Sequence, residues 1–319
     1  MTRARGTLLA VGLTLFLAAG ANAADWVSTG GAPEGGTVNR LVVDSGGRLW
    51  AGTQTAGLFR SDEDDATWHR VLGGSGIGAL AVDPANRDLL LASNRSGVLR
   101  SVDAGATWTT VLSTPAGVLA FAPSDPRRVY LSDGKAVWRS VDRGVHWQKL
   151  TVPEPSGLID LAVDPRSPRI VHAASWNGIY RSADSGQTWT QARGISGVIG
   201  RVQTDPHHPA RVYASGELGD VWRSDNQGRT WRQIADLDGQ PIPAFRVDPT
   251  TPDTLYAATT DYLAPAYERF TLRRSTDGGA TWVPVFSTSE AINDIALRPV
   301  AVYLGIDALG VVRGAIGGT

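Results

Sequence analysis

The chain has 319 residues, 42% of them hydrophobic, with 30 basic against 31 acidic side chains and a formal net charge of -1. It contains no cysteine, which excludes a disulfide framework, a thiolate metal site, an iron–sulfur cluster and a cysteine nucleophile. The apolar fraction excludes a disordered chain, and the balanced charge leaves no basic footprint for nucleic acid.

The first element in chain order is a leader. Arg3 and Arg5 precede an apolar run of 13 residues at 7–19, and Ala21-Asn22-Ala23 supplies small residues at a cleavage position. This is the three-part pattern of a secretory signal peptide, and the run is shorter than the ~20 residues that span a bilayer. Residues 1–23 are therefore expected to be removed, leaving a periplasmic or secreted bacterial protein of residues 24–319. The segment Asp25-Trp26-Val27-Ser28 follows and reads as one short strand.

From there the chain repeats. Ser101-Val-Asp103-Ala-Gly105-Ala-Thr-Trp108 returns as Ser140 to Trp147 (with Asp142), Ser182 to Trp189 (with Asp184) and Ser275 to Trp282 (with Asp277). Ser224 to Trp231 carries Asn226 for the Asp; Ser61 to Trp68 carries Glu63 for the Asp and Asp65 for the Gly. An Arg precedes each Ser, and with Arg313 the Arg-to-Arg spacings are 40, 39, 42, 42, 51 and 39. Within a period an apolar strand runs toward Asp-Pro, a polar turn follows, and a second strand leads through a Gly-containing loop to a third ending in Arg-Ser. The box then makes a turn into a fourth strand at Thr-Trp. Four short strands per period of about 42 residues describe a propeller blade. The box reads as a folding staple: Ser and Asp oxygens accept turn amides, Gly takes a positive φ, and the Trp buries its ring between blades. The repeated Arg reads likewise, with its head on a carbonyl or a box Asp. The altered first box should be the weakest.

Period six is about nine residues longer, through Asp261-Tyr262-Leu-Ala-Pro-Ala-Tyr267-Glu-Arg269, which reads as a loop insertion on a binding face. Blade seven, Ile292 to Arg313, lacks a Thr-Trp strand. Residues 25–29 are expected to supply it and close the ring. The fold class is thus all-β: a seven-bladed propeller of four-stranded antiparallel blades in a single domain.

The Ser-x-Asp-x-Gly-x-Thr-Trp repeat resembles the BNR or Asp-box repeat over residues 25–319. Proteins with that repeat include sialidases, xyloglucan-active hydrolases, the sortilin ectodomain and photosystem II assembly factors; length and blade number are most similar to the last. The resemblance implies box turns on one face and ligands on the other, near the central channel. Loop residues on the ligand face then include Trp176, Glu217, Asp261, Tyr262 and Tyr267. Four residues before the inner-strand end, which is Asp in five blades and Ala122 or Arg298 in the other two, stand Arg40, Ala79, Val118, Asp160, Arg201, Ala244 and Asp294. Four charges in a nominally apolar strand mark either ion pairing in the channel or a polar pocket.

Two functions stay open. One is a non-catalytic scaffold, monomeric and cofactor-free, that holds a protein or glycan partner on the loop face, including residues 261–269. The other is a glycoside hydrolase using carboxylates at the channel mouth. A sialidase-like reading needs an arginine triad (Arg40, Arg201, Arg246) and a Tyr–Glu pair, yet the resemblance's Arg-Ile-Pro motif is absent. The five His are scattered and form no metal-binding cluster.

Overall fold

A computed structural model describes residues 26–29, 36–62, 67–152, 157–264 and 267–315, excluding the side chains of 262–268. The expected leader and residues 63–66 of the first box lie outside this set. The described residues form 28 strands in seven four-stranded antiparallel sheets, with no helix. Six sheets pair four consecutive strands in chain order and the seventh joins the last three strands to the first, so the fold is the seven-bladed propeller expected. None of the described segments is a helix long and apolar enough to cross a membrane.

Alternating apolar and polar residues account for the outer strands; the second strand of each blade is different. Leu49–Thr53, Val129–Ser132, Val171–Ser175, Val212–Gly216 and Ala301–Ile306 are buried at every position, because both faces meet a neighbouring blade. The apolar core is accordingly split into seven clusters at the blade junctions. Trp50, outside any box, is fully buried in the cluster that joins blades one and two, and its indole N–H donates to Asp44 at 3.1 Å.

The ring closes as anticipated. Trp26–Ser28 pairs with Gly310–Ala315, Trp26 opposite Gly314 and Ser28 opposite Val312. The Trp26 ring lies 4.5 Å from that of Phe286 in blade six, and the Trp68 indole of blade one donates to Thr29. The short N-terminal strand therefore touches three blades.

The box works as a hydrogen-bonded turn. In blade three Ser140 Oγ accepts from the Gly144 amide at 2.9 Å and donates to Asp142 at 2.7 Å, while Asp142 also accepts from the Val145 and His146 amides. The same pattern recurs at Ser101, Ser182 and Ser275. Positive φ is needed at two successive residues, not one: Arg143 at 59° and then Gly144 at 81°. The residue before the Gly earns its strain, because its amide bonds the first turn of its own blade, as Arg143 to Arg127 and Ser185 to Arg169. Both turns therefore lie on one face. The same residue's carbonyl receives the repeated Arg of the preceding blade: Arg60 to Ala104, Arg100 to Arg143, Arg139 to Ser185 and Arg181 to Gln227. The repeated Arg is thus a stitch between blades. Trp108, Trp147, Trp189 and Trp282 are half-buried, only Trp231 being enclosed, because the box sits at the rim. Each still packs on the junction with the blade before it.

The box carboxylates give the fold a defined acid sensitivity. Asp103, Asp142, Asp184 and Asp277 are each lowered to about 2. Hydrogen bonds from Thr107 and Thr281 lead at Asp103 and Asp277; at Asp142 and Asp184 burial opposes the shift and is outweighed by bonds from His146 and Thr188. A carboxyl lowered by folding contributes stability above its unfolded value of about 4, and loses it as pH falls toward 2. Urea midpoints should fall across that interval, less steeply in Asp142→Asn with Asp277→Asn. Identical profiles for parent and double variant would refute this account.

Candidate functional site

Two joined cavities occupy the centre of the face opposite the boxes. A funnel of about 750 Å³ is lined by Asn39, Arg40, Arg201, Glu217, Leu218, Ile242 and Thr260, among others. Below it a neck of about 160 Å³ is lined by Arg40, Asp160, Arg201, Arg246 and Asp294. The four charges singled out in the inner strands are therefore brought together, and Arg246 joins them from blade six.

Backbone irregularity explains how strand residues reach the axis. In blades one, four, five and seven the pairing of first and second strands shifts register between Val38 and Arg40, Leu158 and Asp160, Ile199 and Arg201, and Ile292 and Asp294. A bulge places one extra residue there and re-aims the next side chain. Blades two, three and six have Ala79, Val118 and Ala244 at that position and no such shift. Charge and bulge thus occur together.

The carboxylates are used within the ring. Asp294 is 4% exposed; it accepts from the Leu41 amide of blade one at 2.9 Å and the Ile295 amide at 2.9 Å, and pairs with Arg246 at 2.6 Å. Asp160 accepts from its neighbour Leu161 and from the Val202 amide of blade five at 3.0 Å. Both acids therefore tie one inner strand to the next. Asp160, enclosed by the inner strands, has its carboxyl pushed up by burial against the pull of Arg201. Arg40 and Arg201 behave otherwise: Arg40 donates to the Asn39 and Gly117 carbonyls, Arg201 to the Gly200 carbonyl, and neither lies within 4 Å of a described carboxylate. Burial lowers Arg201 from its ordinary value, partly offset by Asp160.

The loop residues divide. Glu217 and Leu218 line the funnel, and Leu218 is 71% exposed. Trp176, 66% exposed, stands on the adjacent blade, its amide donating to Gly157. Asp261 lines neither cavity; its oxygens accept from Thr259 and Thr271 at 2.9 and 2.7 Å, with Arg273 3.4 Å away. The supposed loop at 261–269 is an extension of two paired strands, Leu255–Ala264 and Tyr267–Ser275, because Thr and aromatic residues continue the strand pattern. The side chains of Tyr262 and Tyr267 lie outside the described set. Pro241 and Pro243, from the connection between blades five and six, and Thr260 and Asn293, from the strands Leu255–Ala264 and Ile292–Arg298, also line the funnel and carried no sequence signal. No group of three or more potential metal ligands occurs among the described residues.

Against known proteins, a family model described as "Sortilin, neurotensin receptor 3" matches residues 177–295. Comparison with curated proteins finds no match. Among solved structures the chain is similar to the GH74 enzyme of Niastella koreensis (20% identity, TM-score 0.75), covering 90% of this chain and 53% of that one. It is similar to the GH74 xyloglucanase of Xanthomonas campestris (24%, TM-score 0.70; 90% and 52%). It is also similar to YCF48 bound to D1 peptide (18%, TM-score 0.66; 92% and 94%). The chain thus spans about half the length of the two GH74 enzymes. These likenesses are of fold: they show a β-propeller, and the similarity to the sortilin family model is confined to residues 177–295.

Proposed function

We propose that this propeller is an exported, non-catalytic binding module that receives a protein or glycan partner in the central funnel. The observation that carries this reading is the unequal use of charge. Asp160 and Asp294 are held by backbone amides of the adjoining blades, whereas Arg40 and Arg201 meet only carbonyls and keep donors for a ligand. Exposed Leu218 in the funnel wall, with exposed Trp176 on the adjacent blade, supplies the apolar surface that recognition sites combine with such donors. YCF48, similar in fold and in length, is described with a bound peptide, which supports a polypeptide partner; the resemblance of the box repeat to that of assembly factors adds a role in assembly.

Glycoside hydrolysis, favoured by the likeness to the GH74 enzymes, needs two carboxyls flanking the scissile bond, about 5–10 Å apart. Glu217 is the one described acid that lines the funnel; Asp160 and Asp294 lie in the narrower neck. Labelled protein on arrays of peptides and glycans should find ligands whose retention falls at least tenfold in Arg40→Ala with Trp176→Ala, since hot-spot truncations cost about 1–2 kcal/mol or more. Unaltered retention removes the funnel as the site. No turnover is expected on chromogenic glycosides and sialosides; turnover abolished by Glu217→Gln would establish the hydrolase instead.

A further inference from the structure

A second cavity lies on the opposite, box-bearing side. A groove of about 440 Å³ between blades four and five is lined by Arg181, Thr190, Arg193, Asn226, Arg229 and Thr230, among others. Arg181 belongs to the repeat, its Nε donating to the Gln227 carbonyl at 2.7 Å. The other two cations do not. Arg229 stands where the other described boxes have Ala106, Val145, Gln187 and Ala280. Arg193 stands four residues after its box Trp, where blades two, five and six have Leu112, Ala235 and Phe286.

The backbone brings them together. The last strand of blade four is only Thr190–Gln191, after which the chain bridges to the box of blade five. The Arg193 amide donates to the Arg229 carbonyl at 3.1 Å, and the Trp231 amide to the Arg193 carbonyl at 2.8 Å. Among the described residues no carboxylate lies within 4 Å of any of the three guanidinium groups. Burial and the like charge of Arg229 both lower Arg181 from its ordinary value, with Asp164 acting the other way.

The repeat is broken at a further point on the same wall. Asn226 replaces the Asp of the four other described boxes, yet it keeps the turn. Its Oδ1 accepts from Ser224, Arg229 and Thr230 at 3.0, 3.1 and 2.9 Å, and its amide donates to the Thr230 hydroxyl at 2.7 Å. The turn does not demand the amide, since Asp makes the same bonds elsewhere; what the amide removes is a negative charge. The floor is neutral too. His172 sits where five other blades have Trp or Tyr opposite the repeated Arg, is fully buried under Gly228, and is lowered to about 3 by burial and Arg181.

Three like charges held together without an acid cost free energy unless a counter-charge is supplied, and paired guanidinium forks match the oxygens of phosphate and sulfate. We propose that this groove is an oxyanion site, for a phosphate or sulfate group, free or as an ester on a larger molecule. Arg193, Arg229 and Arg181 hold the oxygens, and the Thr190 and Thr230 hydroxyls border them.

The test is thermal melting of the full chain with inorganic phosphate, sulfate or chloride at equal ionic strength. Phosphate and sulfate should raise the melting temperature above the chloride value. The gain should vanish in Arg193→Ala with Arg229→Ala and shrink in Asn226→Asp, which restores the repeat's own residue and so preserves the turn. Arg95→Ala, in the loop between the strands Asn86–Asn94 and Gly97–Ser101 of blade two and so on the other face, should leave it intact. Dextran sulfate, followed by light scattering or titration calorimetry, distinguishes the sources. Tighter binding than the free ions, lost in the double variant, assigns the group to a polymer; free-ion binding alone assigns a solute ion. No gain over chloride, or the same gain in all variants, overturns the proposal, and neither result bears on the funnel.

Discussion

Removing residues 24–30 should lower the melting temperature by on the order of 10 °C relative to a chain that begins at residue 24. The segment is short, but its contacts are spread over blades seven, six and one: the Trp26 pairing opposite Gly314, the Phe286 ring contact, and Thr29 bound both to the Val311 carbonyl and the Trp68 indole. Losing an aromatic side chain from a packed site costs about 3–5 kcal/mol, the lower end fitting a half-buried ring. A domain of this size loses a few degrees for each kcal/mol. The cut also bares Gly310–Ala315 as an open edge, which invites strand addition by another molecule. Scanning calorimetry with light scattering reads both effects. A truncated chain that melts with the intact one, without aggregation, would show that the ring does not need this strand.

Asp294→Ala should destabilise by about 3–5 kcal/mol, the range for removing one partner of a buried pair. The substitution strands Arg246 without its counter-charge and leaves the Leu41 amide of blade one without an acceptor. Asp160→Ala should cost less: that carboxylate holds the Val202 amide but has no cation within 4 Å among the described residues. Urea unfolding of the two variants measures the difference. If Asp294 served only a ligand, its loss would leave the midpoint unchanged.

Much of the ring was legible in residue order because a repeat reports itself. Each Arg-Ser, Asp and Thr-Trp recurs at the distance that one blade occupies, so seven periods imply seven blades, and Trp26 supplies the strand that period seven lacks. The box could be read as a staple because its bonds are local, Ser and Asp oxygens accepting from amides two to four residues away. The extension after Asp261 was legible as an insertion but not as paired strands, since pairing depends on a partner strand that composition alone does not specify.

The four inner-strand charges show where residue order stops. Their common position was visible; their different fates were not. Asp294 and Asp160 ended as stitches between blades, and Arg40 and Arg201 as donors facing the funnel: bulges at those four registers re-aim each side chain, and the two acids meet amides 253 and 42 residues away. Arg193 and Arg229 are 36 positions apart in the chain, and the early end of blade four's last strand sets their backbones side by side. Local turns and period follow from short-range hydrogen bonds and can be counted along the chain. Which charges are neutralised, and which are left to meet a ligand, is set by distances across blade junctions, and those exist only once the ring is closed.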